Sequence, residues 1–328
     1  VGWLSWGQCA QNYESAKDDE QLLKAWTNTT LGLSWEEKGE APDWGILFDR
    51  REHYRIGVVP KGGYVLTAGV DVQNDRLEVE VVAWGANRES WSVDYRIIYG
   101  SPSDTKTWDM LSKILQEEFE SEDGVYRKIL LMAVDAGFST QEVYAWVRMQ
   151  PPQRVMSIKG VDNSVMPVNA PTKVDVNFRG KKICNGTRLW KIGVSMIKGE
   201  IYSFLKRSVN EDGSFPDGFM HFPEYNTEYF KQLSAEQLVT KVVKGYPKRE
   251  WQKTRDRNEA LDCRVYARAA AIAAGVDRWS DSRWEQLAGG ETAGKKIEKP
   301  HPLENEAPVV RAAARVTARP RITRSSMI

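Results

Sequence analysis

Three aspartates stand in surroundings that are unusually apolar for a charged side chain. Asp71 ends the segment YVLTAGVD, Asp135 ends KILLMAVD, and Asp262 lies within NEALDCRVYARAAA. Clustered carboxylates repel one another and raise one another's pKa, and divalent cations relieve that repulsion. Hard oxygen ligands of this kind suit Mg²⁺ or Mn²⁺. We therefore expect the three aspartates to share one metal site if the fold brings them together.

A fourth carboxylate, Glu259, lies three residues before Asp262, and on a helix this spacing places both side chains on one face. Either could be the third ligand, and the apolar neighbours of Asp262 favour Asp262 with Glu259 as a helper. Each residue also has an ordinary interpretation. A strand-terminal Asp such as Asp71 or Asp135 is commonly a turn former or a helix cap, and Glu259 fits a solvated helix start.

The elements predicted around these residues supply a way to assemble the site. Three strands joined by short turns predict an antiparallel meander, and a helix with Asp104 as its N-cap follows. The next strand is an apolar run, which predicts burial on both faces and parallel pairing. A helix capped by Ser139 and a short fifth strand complete the series. The predicted bounds are 64–71, 77–84, 91–98, 104–119, 128–134, 139–149 and 155–158.

This order of elements is that of the ribonuclease H-like fold, an α/β fold in which a mixed sheet of three antiparallel and then parallel strands is flanked by helices. The first and fourth strands are neighbours in such a sheet, so Asp71 and Asp135 are expected side by side. A helix at 257–274, stopped by Gly275, is expected to pack on the sheet and contribute the third carboxylate. A sugar-kinase or actin-like ATPase opens with the same strand order, but it needs glycines after the first aspartate, where this chain has DVQND.

Composition narrows the class of protein. The chain has 328 residues, is 41% hydrophobic and carries a formal net charge of +1, so any affinity for nucleic acid must come from local basic patches. Its three cysteines and three histidines are scattered, which argues against a disulfide framework, a zinc site or a histidine-based triad. We found no signal peptide and no apolar run that could span a bilayer, and we expect a soluble intracellular protein with no membrane partner.

A basic segment at residues 241–257 precedes the last predicted helix. It has seven basic residues against two acidic ones, with Tyr246 and Trp251 interleaved, a composition typical of phosphate-binding surfaces. An ordinary solvated surface is the alternative. The candidate DNA-binding residues in it are Lys248, Arg249, Lys253, Arg255 and Arg257, and a weaker second group is Arg179, Lys181 and Lys182.

Several segments together resemble the C-terminal part of the large terminase subunit of lambda-like tailed phages. They are LGLSWEEKGEAPDW, REHY at 51–54, TAGVDVQNDRLEVEVVAWG, VDAG, SIKG at 157–160, HFP at 221–223 and RNEALDCRVYA, in this order between about residue 20 and about residue 275. In that family a packaging ATPase precedes a ribonuclease H-like, metal-dependent endonuclease that cuts concatemeric viral DNA. The resemblance implies that Asp71, Asp135 and the Asn-Glu-Ala-Leu-Asp segment are its acidic residues.

The resemblance also implies a mechanism and partners. Two Mg²⁺ or Mn²⁺ ions, about 3.5 to 4 Å apart, would be bridged by Asp71 during in-line displacement. Lys159, in the family's Lys-Gly position, would balance charge on the scissile phosphate, although it could be an ordinary loop lysine. Implied partners are double-stranded DNA, the small terminase subunit and the portal of the procapsid, in the host cytoplasm. A junction resolvase or integrase, and a non-catalytic module that binds DNA or portal, remain the alternatives.

The domain organisation predicted from sequence has three parts. Residues 1–60 are expected to be the end of an upstream ATPase region plus a linker, or else a loop-rich decoration of the main domain. Residues 61–275 form the nuclease domain, and 276–328 a disordered basic tail. The first residue is Val rather than Met, which suggests a fragment. Gly289 to Lys295 imitates a phosphate loop but lacks a preceding strand and a following Ser or Thr, so we expect no packaging motor in this chain.

Overall fold

The computed structural model describes residues 4–17, 20–32, 41–161, 164–176, 182–243, 246–289 and 310–311. The chain separates into two compact units: the first comprises Val1–Glu40 and Gln237–Gln252, and the second comprises Ala41–Glu236 and Lys253–Ile328. None of the helices described is long and apolar enough to cross a membrane. The residues that lie outside the described part of the chain include Arg179, Lys181, the Lys182 side chain, the phosphate-loop imitation after Gly289, and residues 290–309 and 312–328 of the predicted tail.

The described residues form nine α-helices, thirteen β-strands, one π-helical turn at Thr27–Leu31 and 3-10 turns at Ala86–Arg88 and Val276–Arg278. The helices are α1 (Trp6–Ala16), α2 (Glu20–Trp26), α3 (Trp44–Asp49), α4 (Thr105–Gln116), α5 (Thr140–Met149), α6 (Val194–Leu205), α7 (Thr227–Leu233), α8 (Glu259–Ala273) and α9 (Asp281–Ala288). The strands are β1 (Val58–Val59), β2 (Val65–Val72), β3 (Arg76–Trp84), β4 (Ser90–Tyr99), β5 (Glu118–Ser121), β6 (Tyr126–Asp135), β7 (Val155–Val161), β8 (Thr172–Val176), β9 (Lys182–Gly193), β10 (Met220–His221), β11 (Glu236–Val243), β12 (Tyr246–Lys253) and β13 (Val310–Arg311).

The main sheet confirms the predicted fold class. Its strand order is β10-β4-β3-β2-β6-β7-β9-β8. Strands β2, β3 and β4 form the predicted antiparallel meander, and β2–β6, β6–β7 and β7–β9 pair in parallel. This is the mixed sheet of the ribonuclease H-like fold, with β2 and β6 adjacent at its centre. No pattern in the sequence had predicted β8, β9, α6 or α7.

The two central strands differ in how completely they are buried. All eight residues of β2 are buried, as its apolar run predicted. The prediction that β6 is buried on both faces throughout is wrong for its first half, where Leu130 is 42% exposed. That half lines an open cavity of about 610 Å³ together with Tyr64, Trp279 and Leu287 of α9.

Helix α8 packs against β2 at unusually close range. A methyl group at Gly69 would lie 2.0 Å from the carbonyl oxygen of Cys263 and 2.5 Å from the amide nitrogen of Ala267, so only glycine permits the contact. Two residues earlier on β2, the hydroxyl of Thr67 donates to the carbonyl of Ala267 at 2.8 Å, and the indole of Trp84 donates to that hydroxyl at 2.7 Å. The helix and the strand therefore run in opposite directions, and the first turn of α8 lies over the end of β2.

The edges of the second unit differ from the predicted domain boundaries. On the N-terminal side the guanidinium of Arg50 donates to three carbonyl groups of this unit, which begins at Ala41 rather than at residue 61. These carbonyls belong to Leu205, Arg207 and Met220, at 3.1, 2.8 and 2.9 Å. On the C-terminal side, α9 follows the predicted end of the nuclease domain; its Trp284 is buried, with its ring 5.2 Å from that of Trp279.

The first unit contains two short helices and most of a β-hairpin. Ser5 and Gln8 form a capping box at the start of α1, and the Tyr13 and Trp26 rings meet at 5.1 Å to join α1 and α2. Strands β11 and β12 pair only with each other among the described residues. The basic segment predicted at 241–257 thus includes the end of β11, all of β12 and the residues that follow β12.

Candidate functional site

Strand register places Asp71 and Asp135 beside each other. Val70 of β2 pairs with Val134 of β6 in parallel, and each aspartate is the next residue on its strand. Asp71 is only 4% exposed, and its Oδ2 accepts a hydrogen bond from Nε2 of Gln73 at 2.5 Å. Asp135 accepts a hydrogen bond at Oδ1 from the backbone N–H of Gly137 at 3.1 Å. The predicted adjacency of the two carboxylates therefore holds.

Asp262 comes to the same place from the first turn of α8. Since Gly69 and Asp71 are two residues apart on β2, they share the face on which α8 packs. The Asp262 side chain is 18% exposed, with Oδ1 3.2 Å from the ammonium of Lys198 and Oδ2 accepting a hydrogen bond from Nδ2 of Asn258 at 2.8 Å. Two different donors therefore fix its two carboxylate oxygens.

Burial raises the pKa of all three aspartates, and the charge of Asp262 adds to the increase at Asp71 and Asp135. Burial raises the pKa of Asp71 to about 8, and the charges of Asp262 and Asp135 add to the increase. Burial also raises the pKa of Asp135 to about 6, with a further contribution from Asp262 and an opposing one from Lys159. The pKa of Asp262 is raised by burial, against the opposing effect of Lys198. The three groups thus behave as one electrostatic cluster.

Glu259 lies in a separate group of charges, which we call the arginine–glutamate cluster: Arg76, Glu78, Arg257 and Glu259. Arg76 contacts Glu259 at 2.6 Å and Glu78 at 2.6 Å, and Arg257 contacts the same two carboxylates at 3.2 and 2.6 Å. Glu259 is therefore neutralised by two guanidinium groups. This cluster ties the beginning of α8 to β3, next to the aspartates.

A pair of lysines flanks the aspartates on the sheet. Lys159 follows Ile158, the register partner of Asp135, and its charge acts to lower the pKa of Asp135. The parallel pairing of β7 with β9 places Lys191 directly beside Lys159, and both side chains are exposed. Lys191 was not predicted from sequence, because only the register of β9 brings it to the site.

The structure divides the five candidate DNA-binding residues. In strand β12 successive side chains point to opposite faces, so Arg249 and Lys253 share one face while Lys248 lies on the other; Lys248 and Arg249 are both exposed. Lys253 donates to the amide oxygen of Asn258 at 2.7 Å.

The remaining two candidates make ion pairs within the protein. Arg255 contacts Glu228 at 3.2 Å, and Arg257 belongs to the arginine–glutamate cluster. The side chain of Arg255 is 36% exposed and that of Arg257 is 40% exposed, so part of each guanidinium still faces solvent. Their first function in the fold is to neutralise carboxylates.

The three aspartates are residues of the type that a hard divalent cation prefers, but in this structure they are not placed to hold one. Buried carboxylates whose pKa is raised by one another are the groups that Mg²⁺ or Mn²⁺ would stabilise in ionised form. Among the residues that the structure describes, however, no three His, Cys, Asp or Glu side chains are grouped closely enough to hold an ion as they stand. Binding would therefore require rotation of the Asp71 side chain, which Gln73 now holds.

The sheet order, together with acidic residues at the ends of its two central parallel strands, defines a ribonuclease H-like domain of the nuclease type. A family model for the endonuclease domain of the terminase large subunit gpA matches residues 2–284, and the chain belongs to this family. It is 35% identical over 284 residues to the terminase large subunit of Escherichia phage lambda, and 33% over 283 residues to that of Enterobacteria phage P21. Each alignment covers 84% of this chain and 43% of the relative, so the chain spans less than half the length of these relatives. No solved structure matches it.

The raised pKa of Asp71 predicts a pH-dependent effect of Asp71→Asn in metal-free buffer. Between pH 4 and 8 the unfolded chain has released this proton while the folded protein retains it, so wild-type stability falls as pH rises, by at most about 1.4 kcal/mol per pH unit from this group. Asn cannot ionise. The stability of Asp71→Asn relative to wild type should therefore increase across this window and level off above about pH 8.

Denaturant unfolding at a series of pH values, with EDTA present, measures this difference. Asp109→Asn, at an exposed position on α4, is the matched control and should follow the wild-type curve. A difference between Asp71→Asn and wild type that stays constant from pH 4 to 8 would show that Asp71 is already ionised in the folded protein.

Proposed function

We propose that this domain hydrolyses phosphodiester bonds in duplex DNA with the help of two divalent cations, Mg²⁺ or Mn²⁺. The observation that carries the proposal is the convergence of three carboxylates, one buried and two half-buried, from β2, β6 and α8, at one end of a ribonuclease H-like sheet, where burial raises the pKa of each. Such a cluster costs folding free energy unless a cation binds it. Membership of the endonuclease family supports the same reaction class.

In this proposal Asp71, Asp135 and Asp262 are the metal ligands. Bound cations would activate the attacking water and stabilise the leaving oxygen. Lys159 contributes an exposed ammonium beside Asp135, where it can contact a phosphate of the substrate. Lys191, its neighbour in register, provides a second such ammonium.

The contacts favour Asp262 over Glu259 as the third ligand. The charge of Asp262 raises the pKa of both Asp71 and Asp135, whereas Glu259 is neutralised by Arg76 and Arg257. Glu259 would then support the reaction indirectly, by anchoring the first turn of α8.

The role of the whole protein is inferred from its relatives. We propose that the domain is the nuclease part of a large terminase subunit that cuts concatemeric viral DNA during genome packaging in the host cytoplasm. The expected partners are double-stranded DNA, a small terminase subunit and the portal of the procapsid. A junction resolvase or integrase would prefer branched over linear duplex DNA, and comparison of these two substrates separates that alternative.

Asp71→Asn is expected to abolish cleavage without unfolding the protein. The variant loses a proposed metal ligand and also loses a group whose ionisation is opposed by burial and by neighbouring carboxylates, so without metal it should be at least as stable as wild type. Mg²⁺ or Mn²⁺ should raise the melting temperature of wild type by mass action and have much less effect on the variant. Ca²⁺, with longer and looser coordination, should bind but support little or no cleavage. A plasmid-nicking assay beside thermal melts, with and without each ion, measures these effects.

Glu259→Gln is the matched control for this experiment. It removes a carboxylate of the same helix turn that lies outside the aspartate cluster, so it should lower stability through Arg76 and Arg257 yet keep the metal-induced rise in melting temperature. Cleavage by Asp71→Asn in Mg²⁺ or Mn²⁺ would refute the proposed site. An Asp71→Asn protein that fails to fold would assign Asp71 a structural role, and a stable wild type that never cuts would favour a non-catalytic DNA- or portal-binding module.

DNA binding by the hairpin should depend on one face of β12. Arg249 lies on the face that also carries Trp251 and Lys253, whereas Lys248 lies on the opposite face. Arg249→Ala should weaken binding to all sequences alike and reduce the slope of log K against log salt by about one unit, as expected for one lost phosphate contact. Lys248→Ala is the matched control and should change the slope much less. Equal, unchanged slopes for both variants would assign the hairpin to ordinary surface.

A further inference from the structure

Lys198 of α6 is a buried lysine whose charge is used next to the proposed metal site. Its side chain is only 8% exposed, and its ammonium lies 2.7 Å from Oε1 of Glu236 and 3.2 Å from Oδ1 of Asp262. Lysine is rarely buried unless it is paired, because removing the ammonium from water is costly. One cation therefore joins two carboxylates, and one of them belongs to the aspartate cluster.

The surroundings of Lys198 hold this arrangement rigidly. Glu236 has a 5% exposed side chain, and its backbone exchanges hydrogen bonds with the hydroxyl of Tyr202, one turn after Lys198 on α6. Asn258 donates through Nδ2 to Glu236 and to Asp262, both at 2.8 Å. Lys253 donates to the amide oxygen of Asn258 at 2.7 Å, which fixes the orientation of that amide.

These contacts determine the position of Asp262. Asn258 fixes Oδ2 and Lys198 fixes Oδ1, so the plane of the carboxylate cannot rotate without breaking one of two polar contacts. Groups that hydrogen-bond to a metal ligand commonly set the geometry with which the ligand meets the ion.

We propose that Lys198 is a positioning residue of the active site: held by Glu236, its ammonium orients Asp262 toward Asp71 and Asp135, so that the three carboxylates can share cations. This inference rests on the proposed function. Lys198 is not itself a ligand, since an ammonium has no lone pair to offer. Its effect should therefore be on the affinity for the cation.

The test compares metal-induced stabilisation of the 328-residue wild type with that of Lys198→Met. Thermal melts over a series of Mn²⁺ concentrations give the concentration for half-maximal stabilisation, a readout that is independent of cleavage. For Lys198→Met we expect this concentration to rise by about 10- to 100-fold, the usual effect of losing a group that supports a metal ligand. A lowered concentration would show that Lys198 competes with the cation and would overturn the proposal.

Arg268→Met is the matched structural control. Arg268 is also a buried cation between α6 and α8 that joins two carboxylates, contacting Glu200 at 2.8 Å and Asp277 at 2.7 Å. It lies six residues beyond Asp262 on α8 and makes no contact with it in the described structure. Its loss should lower the melting temperature without metal and leave the Mn²⁺ concentration for half-maximal stabilisation at the wild-type value.

The double variant Lys198→Met/Glu236→Gln separates positioning from simple charge neutralisation. It removes the carboxylate that Lys198→Met leaves unpaired, so it should recover much of the metal-free melting temperature, which also guards against a single variant that fails to fold. If Lys198 positions Asp262, the double variant should still need the higher Mn²⁺ concentration.

Three results would contradict the proposal in distinguishable ways. A double variant with wild-type Mn²⁺ response would mean that Lys198 only neutralises Glu236. A Lys198→Met response equal to that of Arg268→Met would likewise overturn this inference alone. A wild type that shows no metal response at all would overturn the proposed function together with the inference.

Discussion

The close approach of α8 to β2 at Gly69 is the contact on which the rest of the site depends. With a carbonyl oxygen 2.0 Å from where a Cβ would stand, any larger residue would push the helix away from the sheet. The approach carries the first turn of α8 over the end of β2, and that turn contains Asp262. Strand β6 is fixed beside β2 by parallel pairing, so Asp135 arrives from the other side. One glycine and one strand register thus bring together three carboxylates that are far apart in sequence.

Charged groups on the α8 side of the meander hold this assembly together at some energetic cost. Glu78 and Glu80 of β3 are fully buried, and each meets an arginine that comes from or precedes α8: Arg257 and Arg264, both at 2.6 Å. Buried ion pairs contribute little net stability, but breaking one leaves an uncompensated charge. These pairs therefore favour one position of the helix over others. At Asp71, burial and then the neighbouring charge of Asp262 raise the pKa.

The sequence predicted the elements whose signals are local. Strand β2, the meander and α8 follow from apolar runs, turn residues and helical spacing, and the pairing of β2 with β6 follows from the order of elements. The same local signals could not separate Asp262 from Glu259, because residues three apart on a helix lie on nearly the same face. In the structure the first turn of α8 lies between two clusters of charges. Glu259 belongs to the arginine–glutamate cluster, and Asp262 lies with Asp71 and Asp135.

Residues that act through long-range contacts carried no such signal. Lys198 stands among apolar residues of α6, and nothing near it in sequence indicates that it is buried or that its partner is Glu236. Likewise, the basic segment was predicted from composition, but the division of its residues between two strand faces and several ion pairs depends on tertiary structure.

The most direct test of the central claim is a crystal of this domain soaked in Mn²⁺ and measured for anomalous scattering. We expect anomalous peaks flanked by the carboxylates of Asp71, Asp135 and Asp262, with the Asp71 side chain rotated away from Gln73. Saturating Mn²⁺ with no peak among these three aspartates, or with the ion bound instead at Glu259, would contradict it.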